Sequence, residues 1–245
     1  VVALFLILFV RAGLSPTRSR GSWSAGSMLF LYAVTFSYAY LELDTGTGAL
    51  ILFGSVQTTI VGVSIVTGNK LLWIEWVGLA ISFAGVVYLL LPGVSAPSML
   101  GFVLMSIAGA AWGFYTLLGR GSDNPLADTA YNFLRSMPLT LVILIAAFGD
   151  FHITTTGAML AILSGAVTSG LGYTIWYTAL KNITATQAAV SQLAVPVIAA
   201  LGGVIFMAEL ITLRLTVAAV MILGGIFMVV GGRMILIEKQ KHRTL

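Results

Sequence analysis

Apolar stretches of about 17 to 25 residues, nearly free of internal charge, alternate with short polar breaks along the chain, at about 27–43, 47–67, 72–92, 99–119, 125–149, 157–180, 184–208 and 212–236. About 20 apolar residues suffice to cross about 30 Å of hydrocarbon as a helix, so this pattern predicts membrane spans rather than the core of a soluble domain. The run VVALFLILFV at 1–10 is too short to cross alone and predicts a partial ninth span. With Val1 where a Met would stand, it predicts that the natural protein begins further upstream; no basic segment precedes the run as a signal peptide would require.

Composition agrees with this picture. The chain is 59% hydrophobic and 8% charged, against about a quarter charged in a soluble domain, so it cannot cover itself in polar surface. Cysteine is absent, which excludes disulfides, thiolate zinc sites and iron-sulfur clusters. The net charge of +4 reads as topology rather than as a nucleic-acid face. Ten of the 12 basic residues, Arg11, Arg18, Arg20, Lys70, Arg120, Lys181, Arg233, Lys239, Lys241 and Arg243, fall on one side of the predicted membrane. The other side has Arg214 alone, with Glu42, Asp44, Asp150 and Glu209 on or near it. Lys and Arg gather on the cytoplasmic side, so a multi-pass protein of the cell (inner) membrane with its C-terminus inside is expected.

The chain also repeats. Displaced by 139 residues, 35–93 aligns with 174–232 without a gap, pairing Tyr38 with Tyr177, Leu41 with Leu180, Thr45 with Thr184, Ala49 with Ala188 and Gly85 with Gly224. The same offset gives the span at 99–119 a counterpart before Val1, so the unit is five helices. An odd number makes the second unit enter the membrane in the opposite sense, which predicts an all-α integral membrane fold built as an inverted repeat. Ten spans are expected in the intact protein, with about eight complete and one partial here. The organisation is then 1–93 for a first repeat lacking its first helix, 99–236 for the second, and 237–245 for a basic cytoplasmic tail.

The stretch WYTALKNITATQAAVSQLAVPVIAALGGVIFMAELITLRLTVAAVMILGGIFMVVGG resembles the second EamA domain of the drug/metabolite transporter superfamily, with Ala179, Leu180, Lys181, Thr184, Ala185, Pro196, Glu209 and Gly224 at the matching positions. The first repeat departs from the pattern, with Gln57 where the family usually has Pro and Lys70 where it often has Glu. The resemblance implies a secondary transporter of a small organic metabolite, an amino acid or related compound, in the direction of export. It implies a small-molecule solute and the lipid bilayer as partners, no nucleic acid, and leaves a homodimer as an option.

Candidate site residues follow from polarity within spans. Arg135, about ten residues into its span, would lie near mid-membrane, where a guanidinium needs a cavity, water or partners. Its alternatives are solute binding or satisfaction by carbonyls and by Asn132 one turn before it. Trp112, Tyr115, Tyr38, Gln57, Asn132 and Gln192 are the other residues able to line a central cavity or to pack helices. Trp176 and Tyr177 read as an interfacial belt. Pro196 and Gly202-Gly203 suggest a hinge, Glu209 a gate or an interfacial carboxylate, and the small pairs Gly78/Ser82 and Gly165/Ser169 close helix approach. No carboxylate reads as clearly deep, so facilitated diffusion or exchange stays open. No phosphate-binding Gly-Lys-Ser/Thr loop and no clustered metal ligands occur, so neither a cofactor nor an enzymatic activity is expected; a non-transporting receptor or scaffold is the alternative.

Overall fold

The computed structural model describes residues 20–43, 45–68, 71–90, 98–146, 153–195 and 216–229, with positions 198, 205 and 213. Described residues form helices and no strand: α1 (Trp23–Ala39), α2 (Thr45–Val66), α3 (Trp73–Leu90), α4 (Met99–Gly119), α5 (Pro125–Ala146), α6 (Thr155–Leu180), α7 (Ala185–Ser191) and α8 (Thr216–Val229). α4, α5 and α6 are long and apolar enough to cross a membrane, and shorter apolar helices run over Ile51–Val66, Trp73–Tyr88 and Thr216–Val229.

Short polar side chains start these helices. Ser22 Oγ accepts the Ala25 N–H (3.0 Å), Ser98 Oγ that of Gly101 (3.0 Å) and Asn124 Oδ1 that of Ala127 (3.1 Å), while Thr184 and Gln187 exchange two bonds at the start of α7. Each satisfies a donor that the first helical turn leaves without an intrahelical partner. Pro125 opens α5, where its missing N–H costs nothing. Gly68 (φ 85°) and Gly121 (φ 79°) follow α2 and α4 in the left-handed conformation that ends helices.

α6 is composite: Ser164–Leu171 is a π-helix between two α-helical arms, a winding that is rare at such length. Gly165 lies inside it, and nothing comes within 4 Å of where its Cβ would be, so Gly165 itself makes no close helix approach. The span expected at 184–208 is not a continuous α-helix. α7 stops at Ser191, and Val195 N–H turns back to the Gln192 carbonyl at 3.1 Å. Pro196 has no N–H with which to continue the ladder from Gln192; it lies outside the described residues, as do Gly202, Gly203 and Glu209.

The chain divides into two compact units, residues 1–34 with 114–183, and residues 35–113 with 184–245. Each takes segments from both sequence repeats. In the second unit Phe53, Val86, Leu193 and Ile222 form the core. There α3 runs antiparallel to α8: a Cβ on Gly78 would meet the Gly225 carbonyl at 2.7 Å and one on Gly85 the Ala218 carbonyl at 3.2 Å. Between them Ser82 Oγ donates to the Ile222 carbonyl at 3.1 Å, so the Gly78/Ser82 pair does permit close packing. In the first unit α5 packs on the C-terminal arm of α6 beside the end of α4.

Candidate functional site

The first unit gathers its polar side chains at the end where α1 and α5 begin. One face of α5 presents Asp128, Asn132 and Arg135, at i, i+4 and i+7. Each holds one main-chain group of the segment entering α1. Asp128 Oδ1 accepts the Gly21 N–H (2.7 Å), Asn132 Oδ1 accepts the Ser22 N–H (3.0 Å), and Arg135 Nη1 donates to the Arg20 carbonyl. Ser122 Oγ donates to the other Asp128 oxygen. Gly21 is required here: its φ is 61°, and a Cβ would lie 2.3 Å from Asn132 Oδ1. Nearby loops close the same end, with Arg120 Nη2 donating to the Ile183 carbonyl (3.2 Å) and Lys181 Nζ to the Asp123 carbonyl (2.8 Å). Arg20, Arg120 and Lys181, grouped on one membrane side by the sequence, thus belong to one end of this unit.

Beneath the clamp lies a cavity of about 220 Å³ lined by Arg20, Ser22, Leu118, Asp128, Asn132 and Tyr177, among others. Tyr177 is the aromatic residue of its lining, and Tyr115 packs against it. Tyr115 and Tyr177 are fully buried and stacked at 4.9 Å, and Tyr177 OH donates to the Tyr115 carbonyl at 3.2 Å. Gly119 makes this possible, since any Cβ there would lie 2.1 Å from the Tyr177 ring. The belt expected for Tyr177 is therefore corrected: one turn from a helix end, the ring is drawn into the core by a glycine on the facing helix. Trp176 donates to Thr116 Oγ1 at 3.4 Å.

Arg135 stands apart from this cavity. Its guanidinium bonds the Arg20 carbonyl and the Tyr131 carbonyl (3.2 Å), and it lies 5.9 Å from the Trp23 ring centroid and 5.8 Å from that of Tyr131. It lines an outer groove with Leu134, Met137 and Leu141, all exposed. Ten residues into α5 is thus the level at which α1 begins, and the carbonyl-satisfied arrangement is the one observed.

The second unit holds the other candidates. Trp112 Nε1 donates to Gln192 Oε1, Gln192 Nε2 to the Ala188 carbonyl (3.4 Å), and Gln57 Nε2 to the Ala189 carbonyl (2.8 Å). Gln192 sits at the end of α7, where the helix breaks. Tyr38 is half exposed, and no described contact joins it to these groups.

Two acids escaped the sequence reading. Glu75 is fully buried and accepts the Leu72 N–H at 2.8 Å, an acid at the third position of α3 bonding the residue before the helix, so a sealed carboxylate does exist. Its Leu-x-x-Glu spacing was a usable signal. Asp128, in the first turn of α5, carried the same kind of helix-start signature.

Comparison with known proteins places the molecule. A model described as the EamA-like transporter family matches residues 99–231. An uncharacterized protein of Pseudomonas aeruginosa is 45% identical over 233 residues, 95% of this chain and 81% of that one. An uncharacterized transporter of Archaeoglobus fulgidus is 31% identical over 214 residues (79% and 71%), and one of Bacillus subtilis 22% identical over 240 residues (93% and 82%). A solved crystal structure superposes with a TM-score of 0.77 at 17% identity, covering 94% of this chain and 82% of the other, a likeness of fold.

Proposed function

Because the chain belongs to the EamA-like transporter family and is a multi-pass membrane transporter, we propose that it exports a small zwitterionic metabolite of the amino-acid type by alternating access across the cytoplasmic membrane. The observation that carries this reading is the cavity of the first unit. Arg20 and Asp128 offer opposite charges around about 220 Å³, and Asn132 and Tyr177 add an amide and a hydroxyl. A solute with an ammonium and a carboxylate satisfies both charges at once, whereas a singly charged one leaves the other uncompensated. The volume suits a handful of heavy atoms rather than a drug-sized body.

Alternating access is supported by two local features. α3 and α8, counterparts in the repeat, are packed antiparallel, as an inverted pair requires. α7 breaks beside the Trp112–Gln192 pair, and interrupted helices are where transporters of this architecture place their sites. The Gln192 and Trp112 side chains belong to this proposed path, while Arg135 is assigned to holding the entry of α1. The sequence distribution of Lys and Arg, ten of 12 on one side of the expected membrane with those of the C-terminal tail among them, supports a cytoplasmic C-terminus.

Counterflow in proteoliposomes tests the proposal, with a panel of neutral amino acids set against glycerol and simple carboxylates. Saturable exchange of at least one amino acid is expected, falling at least tenfold in Asp128→Asn and in Arg20→Gln. Flux indifferent to both substitutions would sink the zwitterion assignment.

A further inference from the structure

The outer groove that Arg135 lines is built differently from the cavity beneath the clamp. A single stripe of α5 from Tyr131 to Leu141, at i, i+3, i+4, i+7 and i+10, lines about 500 Å³ together with Arg20 and Trp23 from the entry of α1. The stripe changes character along its length. Both arginines and both rings, Trp23 and Tyr131, gather where α1 begins, whereas the about 9 Å of helix from Arg135 to Leu141 adds only apolar lining. Leu134, Met137 and Leu141 are exposed, and exposure continues at Val142 and Ile145, 66% and 74%. Apolar surface of that extent on a membrane-spanning helix meets acyl chains.

The charged end lacks a counter-ion. Arg135 makes both of its hydrogen bonds through Nη1, to the Arg20 and Tyr131 carbonyls, so Nε and Nη2 have no acceptor among the described residues. The Trp23 and Tyr131 ring centroids lie 5.9 and 5.8 Å from its guanidinium carbon. Carbonyls and ring faces attract a guanidinium, but neither neutralises it. No acid lines the groove, so Arg20 and Arg135 present two like charges there. A phosphodiester anion offers the paired oxygens that a guanidinium fork takes, while a headgroup that also carries a cation is repelled by both. Trp and Tyr are the rings found at headgroup level, and basic pockets beside spanning helices suit acidic lipids. Only an amphiphile fills both halves, since a free phosphate would leave the apolar stripe uncovered.

We propose that this groove is a binding site for one acidic phospholipid, its phosphate on Arg135 beside Arg20 and an acyl chain along Leu134, Met137 and Leu141. The site goes beyond the solute reading, and its test involves no transport. Purified protein in a neutral detergent is titrated with dioleoyl phosphatidylglycerol and with dioleoyl phosphatidylcholine, and bound lipids per chain are counted by native mass spectrometry. The two share their chains, so micelle partition is common to both. The first anionic lipid should bind about 5- to 30-fold more tightly than the first zwitterionic one, a factor of about five for each guanidinium. Arg135→Gln should cut that ratio at least threefold. Trp23→Glu should do the same by setting a carboxylate beside Arg135, at a residue that is 60% exposed and first in α1, where an acid suits the helix. Lys181→Gln, which removes an exposed base at the same end, should leave the ratio within about twofold. A ratio of about 1 in the unsubstituted protein, a ratio indifferent to Arg135→Gln and Trp23→Glu, or an equal fall in Lys181→Gln would each overturn the assignment. So would displacement of the lipid by glycerol phosphate at equal concentration, which would mark a site for free phosphate. If Arg135→Gln fails to fold, Trp23→Glu set against Lys181→Gln decides the matter.

Discussion

Replacing Gly21 by alanine isolates the clamp that closes the first unit. The substitution has two consequences. A left-handed backbone at φ 61° costs an L-residue about 1–2 kcal/mol. The new Cβ also lies 2.3 Å from Asn132 Oδ1 and 2.9 Å from the Asp128 carbonyl, so the Asn132 amide must swing away and surrender the Ser22 N–H. Leaving that buried oxygen without its donor costs about 1–3 kcal/mol more. At about 2–4 °C per kcal/mol for a chain of this size, Gly21→Ala should lower Tm in detergent by about 5–15 °C. Gly121→Ala is the internal reference, because its φ of 79° imposes the same backbone cost while nothing lies within 4 Å of the added carbon. It should lose only about 2–6 °C. Differential scanning fluorimetry of both variants measures the gap, and equal losses would refute the claim that the segment is cradled by Asn132. The double variant Gly21→Ala/Asn132→Ala should lose less than the sum of the single changes, since the second substitution removes the colliding atom.

Three further outcomes follow from the same geometry. Gly119→Ala should cost about 2–4 kcal/mol, because a Cβ at 2.1 Å forces the buried Tyr177 ring off Tyr115, whereas Tyr177→Phe loses only the 3.2 Å bond and about 1 kcal/mol; thermal unfolding of the pair checks the order. Arg135→Lys should retain more stability than Arg135→Gln, since an ammonium can still reach a carbonyl, and transport by the folded Lys variant should stay within about threefold; loss of flux without loss of fold would return Arg135 to the solute path. Gly78→Ala should separate α3 from α8 at a cost of about 1–3 kcal/mol, while Gly224→Ala, with open space around it, should be neutral or stabilising by chemical unfolding.

The existence of most helices was legible because it depends on local signals: apolar length, Ser22, Ser98, Asn124, Thr154 and Thr184 just before α1, α4, α5, α6 and α7, and glycines after α2 and α4. The site was less legible because its defining contacts join distant positions. Nothing near Arg135 announces that the Arg20 carbonyl, 115 residues away, would take its guanidinium. Depth counted from a helix end also misleads, since the entry of α1 descends along α5 to the level of Arg135. Tyr177 looked interfacial by position, and only the absence of a side chain at Gly119, on another helix, explains its burial. Glu75 has the opposite lesson: it bonds the Leu72 N–H three residues away where α3 begins, a role written in local spacing, whereas Asp128 reaches Gly21, 107 residues away. Gln57 and Gln192 were identified as amides in need of partners, and each found a carbonyl in its own unit.

The repeat itself can be examined with residues that the structure describes. In the second unit, Gly78 meets Gly225, Ser82 meets Ile222, and Gly85 meets Ala218. Under the 139-residue offset the partners are the counterparts of Val86, Phe83 and Leu79, so each contact pairs positions that lie on either side of residue 82 or 83 by nearly the same amount. Any antiparallel pair gives contacts of this form, and counterpart helices packed in opposite senses are what the proposed inverted repeat requires. The proposed inverted arrangement predicts that the counterparts Glu42 and Lys181 are on opposite faces of the membrane, whereas a parallel repeat would put both on one. Both residues are exposed, and the chain has no cysteine of its own, so Glu42→Cys and Lys181→Cys each introduce the sole thiol. A membrane-impermeant maleimide should label Glu42→Cys in intact cells and Lys181→Cys only after the membrane is opened. Labelling of both from the same side would break the inverted arrangement and, with it, the basis for alternating access in this chain.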